Sequence, residues 1–175
     1  MPTVRFLVGV PASGKSTWLA AHPQTGAVVS SDAHVEAEAA RRGLTYDQVF
    51  SETVQAANAK VLAEAKAALK RGKDLVWDQT NLTRKVRAER LRLVPPGYTK
   101  VAVFFPTPSP KTLAARLASR PGKTIPAEVV AGMAATLEKP SKSEGFDRVQ
   151  TLKKKKKGSA LRRGSARSGT YRRRA

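Results

Sequence analysis

The run Gly9-Val10-Pro11-Ala12-Ser13-Gly14-Lys15-Ser16 leaves the chain few folds to choose from. It fits the pattern of a glycine, four residues, then Gly-Lys-Ser/Thr, which works only where a strand ends and a helix begins. The glycines let the backbone turn so that successive N–H groups converge on phosphate oxygens, and the helix N-terminus adds its positive dipole. Lys15 is placed to bridge the β- and γ-phosphates of a nucleotide, and the Ser16 hydroxyl to ligate Mg²⁺. Thr17, in the first helical turn, is close enough to serve the α-phosphate. The motif therefore predicts ATP binding by Gly9, Pro11, Ala12, Ser13, Gly14, Lys15, Ser16 and Thr17.

The flanking pattern agrees. Val4 to Gly9 reads as a buried strand and Gly14 to Ala21 as the helix after it. Further strands are predicted at 27–30, 75–78 and 100–105, with a short last one within 146–152. Helices are predicted from about Tyr46 to Lys70, where alanine is abundant, and over 83–93, 110–119 and 127–137. Alternating strands and helices imply right-handed crossovers and a mostly parallel α/β sheet of about five strands with helices on both faces. At 175 residues there is room for one such domain, assigned to 1–152. Residues 153–175 show no apolar periodicity and read as a disordered basic tail.

In an open parallel sheet the ligand lies outside the carboxyl ends of the strands. Asp32 follows the second strand and Asp78 the third. Asp32 is a candidate general base for an acceptor hydroxyl and Asp78 a candidate for organising Mg²⁺, unless each only caps the element that follows. Arg116 and Arg120 share a helix face, followed by the basic loop Pro121-Gly122-Lys123-Thr124. Such a lid would stabilise charge on a transferring phosphoryl group, the alternative being a solvated helix end favoured by its dipole. Trp18 and Trp77 are assigned to packing. With only His22 and His34 and no cysteine, no metal cluster of that type is expected. The absence of cysteine and of a bilayer-length apolar segment favours a soluble, cytoplasmic protein.

These motifs, quoted as GVPASGKSTW, SSDAH, VWDQTNLTRKVR and ARLASRPGKTIPAEVV, resemble the kinase module of the bacteriophage and bacterial 5′-polynucleotide kinase family over residues 3–138. The resemblance implies a P-loop fold with a lid and transfer of the ATP γ-phosphate to a 5′-hydroxyl of DNA or RNA. It matches Lys15 and Ser16 to the phosphate and Mg²⁺ residues, Asp32 to the general base, Asp78 to the second acid and Arg120 to the lid arginine. Asn81 and Arg84 fall near the acceptor side. The family's arginine three residues after the base, which clamps the acceptor phosphate, is here Val35. His34, Arg41 and Arg42 are the nearby candidates to replace it.

Charge bears on the acceptor. Five lysines and six arginines without acids in residues 153–175 supply eleven of the net +20, and the other nine belong to residues 1–152. Both parts favour a polyanionic partner such as a nucleic acid end. A P-loop kinase of a small hydroxylated molecule, an antibiotic or a nucleotide-sugar, would have no need of the tail. An ATP-switched nucleic-acid-binding protein would use the tail as its main contact. Oligomeric state is not legible. Truncation after Leu152 should flatten the salt dependence of nucleic-acid binding while leaving saturating kcat intact; a large loss of kcat in the truncated protein would give the tail a catalytic part.

Overall fold

The computed structural model describes residues 1–152; the expected tail lies outside the described residues. Five strands form one all-parallel sheet in the order β2-β3-β1-β4-β5: β1 (Thr3–Val8), β2 (Ala27–Val29), β3 (Leu75–Trp77), β4 (Thr99–Phe104) and β5 (Arg148–Thr151). In β1 successive side chains must point to opposite faces. Val4, Phe6 and Val8 enter one core layer with Leu75, Trp77, Ala102 and Phe104. Leu7 enters the opposite layer with Val76, Val101 and Val103. A strand buried on both faces reads as the near-continuous apolar run seen at its position in the sequence.

Helices cover both layers. Val61, Ala65, Ala68 and Leu69 of α3 (Tyr46–Lys70) close the first, and Trp18 and Leu19 of α1 (Lys15–Ala21) pack on the second. The chain enters β1 and goes to the β2-β3 side, then crosses to β4 on the other flank. The loop leaving β1 thus sits where the direction of winding reverses, the usual ligand position of such sheets.

A helix absent from the sequence reading, α2 (Ser31–Arg42), follows β2 directly. The Ser30 side chain accepts from Ala33 N at its start, and Gly43, left-handed at φ 65°, ends it. The next helix starts from a reciprocal cap between Thr45 and Gln48, so α2 and α3 form a hairpin. Between them lie Val35, Ala39, Val49 and Ala57, all buried. The remaining helices are α4 (Arg84–Leu91), α5 (Pro110–Ala118) and α6 (Ala127–Thr136), with one 3-10 turn at Lys142–Glu144.

One polar contact binds the C-terminal segment to the body. Arg87 of α4 is fully buried. It donates to both carboxylate oxygens of Glu144, at 2.7 and 3.0 Å, and to the carbonyls of Asn81, Leu82 and Glu138. Burial alone would raise the Glu144 pKa, but the Arg87 hydrogen bonds outweigh it and hold the carboxyl below its usual value. Replacing Arg87 with leucine strands a buried carboxylate and three carbonyls, so unfolding stability should fall by about 3–5 kcal/mol. The check is a urea titration: a lower midpoint at unchanged slope confirms the loss.

Candidate active site

The loop after β1 is bound to the sheet by backbone. Gly9 N donates to Thr80 O at 2.9 Å, and Phe105 N to Val8 O at 2.8 Å. A side chain at position 9 has no space, since a Cβ there would come within 2.9 Å of Phe105 Cβ and 2.8 Å of Ser13 Oγ. Gly14 begins α1 at φ 110°, and no side chain caps the helix. The first backbone bond of α1 is Trp18 N to Gly14 O. Among the described residues the N–H groups of residues 14–17 meet no acceptor, which leaves a cluster of orphan donors with no acid in the first turn. An anion is the partner that completes such an end.

Lys15 folds back over this loop, its ammonium donating to Gly9 O and Val10 O at 2.9 Å each. Desolvation dominates its titration and lowers its pKa to about 8, against the attraction of Asp78 and then Asp32 and with some help from Arg120 and Lys123. Asp78, anchored through its N–H to Val29 O at 2.9 Å, has its pKa raised by the same desolvation, with Lys15 opposing. Lys15, Ser16, Asp32, Asp78 and Arg120 all line one cleft of about 1520 Å³.

The lid is docked. Lys123 in the α5–α6 loop donates to Asp32 Oδ2 at 2.7 Å and Glu36 Oε1 at 2.9 Å, and lies 4.1 Å above the Tyr46 ring. The Tyr46 hydroxyl donates to the other oxygen of Asp32 at 2.9 Å. Burial, then the Asp32 charge, pushes the Tyr46 pKa upward. Thr124 N donates to both Asp47 oxygens at 2.8 and 2.9 Å, and Asp47 N to Gly122 O. Arg116 reaches the phosphate loop itself, donating to Ala12 O at 2.9 Å. Ala12 is left-handed at φ 59°, a conformation that glycine adopts without strain and alanine does not.

Not every expected residue comes to the cleft. Ser13 turns its hydroxyl into the space beside Gly9, where it is buried without a partner among the described residues, and Thr17 lies exposed on α1. His34 is directed to Glu64 of α3, Nε2 to Oε2 3.1 Å, because the cleft face of α2 carries Asp32, Ala33, Glu36 and Ala40 instead. Arg41 pairs with Glu38 at 2.6 Å and Arg42 with Glu52, and neither lines the cleft. Asn81 is a brace rather than a substrate contact. Left-handed at φ 48° and buried, it donates to the carbonyls of Leu7, Trp77 and Gln79. Arg84 is exposed and faces Glu144 at 4.0 Å, while its N–H donates to Glu138. The sequence reading missed Tyr46, Glu36, Gln79 and Arg90, all of which line the cleft. Glu36 lies four residues after Asp32, one turn on, and was legible only once α2 was recognised.

An open glycine-lysine loop at the switch point, two carboxylates beside it and a basic lid define a nucleotide-binding P-loop protein with a kinase-type fold. The chain belongs to the AAA domain family, whose model matches residues 4–140. Among solved structures it is similar to a proposed kinase of Chloroflexus aurantiacus J-10-fl, with 19% identity, coverage of 86% of this chain and 84% of the other, and a TM-score of 0.62. It is also similar to a chain of the Pnkp1/Rnl/Hen1 RNA repair complex, with 23% identity over 78% of this chain and 44% of that one at a TM-score of 0.59. A gluconokinase of Sinorhizobium meliloti 1021 is 22% identical over 86% and 82% of the two chains, with a TM-score of 0.51. At these identities the likeness is one of fold. Among curated proteins none matches the sequence. Among the described residues no helix is long and apolar enough to cross a membrane.

The depressed pKa of Lys15 has a stability consequence. Unfolding takes up a proton between about pH 8 and the ordinary value of 10.5, so stability should rise with pH across that window. Below pH 8 the cost of burying the charge is carried in full. Lys15→Met should therefore raise the melting temperature of the ligand-free protein at pH 7 by a few degrees, about 2–4 °C per kcal/mol for a chain of this size. The gain should fade to nothing by pH 10.5. Melting curves of both proteins across pH 7–10.5 provide the check.

Proposed function

We propose that the protein is an ATP-dependent kinase that phosphorylates the 5′-hydroxyl ends of DNA or RNA. The observation that carries this reading is Asp32, a carboxylate on the wall of the cleft that also holds the phosphate loop. The cleft is larger than the roughly 300–1000 Å³ typical of small-molecule sites, which suits a nucleotide together with the end of a chain. The net +9 of residues 1–152 favours a polyanionic acceptor.

In this reading the orphan N–H groups of residues 14–17 and the Lys15 ammonium take the β- and γ-phosphates of ATP. Ser16 and Asp78 fit Mg²⁺, which favours one or two protein oxygens alongside phosphate oxygens and waters over an all-protein cage. No group of three or more His, Cys, Asp or Glu that could form such a cage occurs among the described residues. The ion would supply charge neutralisation on the phosphates. Asp32 accepts the proton of the 5′-hydroxyl as the O5′–Pγ bond forms. The bond from Pγ to the β-bridging oxygen breaks, and its electron pair leaves on ADP. Arg120 and Arg116 offset the charge that spreads over the equatorial oxygens. Lys123 and Tyr46 must release Asp32 before the acceptor hydroxyl can reach it.

One observation favours a second reading. Val35 is fully buried in the α2–α3 core and does not line the cleft, so this position of α2 offers no arginine to an acceptor phosphate. A small hydroxylated acceptor needs none. Transfer of γ-labelled phosphate from ATP with Mg²⁺ to a 5′-hydroxyl oligonucleotide separates the two. Label should appear on that oligomer and not on its 5′-phosphorylated form, and Asp32→Ala should lower kcat by about 10²–10⁴-fold. ATP binding with both DNA and RNA left unlabelled would transfer the assignment to a small acceptor.

A further inference from the structure

The helix α3 carries two apolar stripes, and the fold uses only one of them for its core. Val49, Ala57 and Val61 turn inward and are buried. A second stripe runs beside it at intervals of four residues, Tyr46, Phe50, Val54 and Asn58, and all four line the cleft. Apolar side chains on a helix ordinarily go against another element. Phe50 instead stays 40% exposed, and Leu44, at the turn into α3, is exposed on the wall of the same cleft.

This wall is ordered by its own contacts. The Tyr46 and Phe50 rings stack with centroids 5.3 Å apart and planes 29° from parallel. Tyr46 is fixed in turn by its hydroxyl bond to Asp32 Oδ1 at 2.9 Å and by Lys123 above its ring. The open ring of Phe50 therefore stands one side chain away from the candidate base. Two turns along the stripe, Asn58 Oδ1 accepts from Gln79 Nε2 at 2.9 Å, while its own amide N–H groups donate to nothing among the described residues. A fixed aromatic surface with unused amide donors farther along matches a flat heteroaromatic ring that carries acceptor atoms on its rim. The sheet order β2-β3-β1 separates the phosphate loop, after β1, by two strands from β2, which leads into Asp32 and the α2–α3 hairpin. A ring at Phe50 thus belongs to the molecule whose hydroxyl meets Asp32, not to the nucleotide on the phosphate loop.

Resting on the proposed kinase reading, we infer that Phe50 is a stacking platform for the terminal nucleobase of the acceptor, with Leu44 and Val54 as its apolar flanks. The platform reads a flat ring rather than a particular base, since every base has a π-face. Phe50 is a specificity residue here; the chemistry at the 5′-oxygen belongs to other groups. A 5′-hydroxyl end that has lost its base is a poor acceptor even with its phosphates intact.

The test compares kcat/KM for a 5′-hydroxyl oligonucleotide and for the same oligomer with an abasic residue at its 5′ end, in the full chain and in Phe50→Ala and Phe50→Trp. Stacking of a base on an aromatic side chain is worth about 1–3 kcal/mol, so the native protein should favour the base-bearing end roughly 5- to 150-fold. Phe50→Ala should bring the ratio near one through KM for the oligomer, with KM for ATP unchanged, and Phe50→Trp should preserve it. A merely structural role would lower both acceptors together and keep the ratio. A ratio retained in Phe50→Ala, or near one in a native protein that labels both oligomers, overturns the platform and leaves the kinase reading standing. A native protein that labels neither oligomer overturns both.

Discussion

Everything in this molecule is arranged around a strand that has no free edge. β1 is hydrogen-bonded in parallel to β3 on one side and β4 on the other, and both faces are covered by apolar layers. A strand enclosed on four sides can present polar groups only at its ends. At its carboxyl end the winding changes direction, which opens space between crossovers, and the chain turns there through two left-handed residues into a helix whose first N–H groups have no acceptor. The loops after β2 and β3 end at the same edge, so Asp32 and Asp78 come to Lys15 without any long-range design beyond strand order. The sheet stabilises the fold, and the uncapped helix is the place where that stability is left incomplete.

The legibility of the sequence followed the range of the forces involved. The bounds of α3 were readable because helix propensity in its alanine-rich run and the stop at Arg71-Gly72 both act within a few residues. The phosphate loop was readable because its function lies in local backbone geometry. The helix α2 was missed because only Val35 and Ala39 of its residues are buried, too few for an apolar stripe, and Ser30-Ser31-Asp32 resembled the end of a strand. Its signals were the Ser30 cap and Gly43. That omission propagated to the site, since the phase of α2 decides that Asp32 and Glu36 face the cleft while His34 faces Glu64 and Val35 the core. Asn81 and Arg84 were assigned to the acceptor by resemblance. The structure uses the first to brace three strand-end carbonyls and directs the second toward Glu144. Arg90 had no local signal at all; only packing on Trp77 singles it out from the neighbouring basic residues of α4.

Two arginines on α4, one buried and one half-buried, illustrate how context divides one side-chain type between tasks. Arg87 is matched by a carboxylate and three carbonyls, so its charge is spent on joining the C-terminal segment to the sheet. Arg90, about one turn on, is held by neutral amides and an aromatic face. Burial removes water from both, fully for Arg87 and in part for Arg90. Complete compensation makes the first a structural pin, and incomplete compensation leaves the second attractive to an anion from outside.

The docked lid gives the site a resting arrangement. Asp32 is engaged on one oxygen by Lys123 and on the other by Tyr46, while Lys123 is shared with Glu36. On the proposed reading, a water molecule that strays into the acceptor position with ATP bound meets a carboxylate already committed to partners of its own. Only an acceptor able to displace the lysine gains the use of the base. On that reading the same three contacts that hold the lid down would act against futile hydrolysis and let the protein idle with ATP bound.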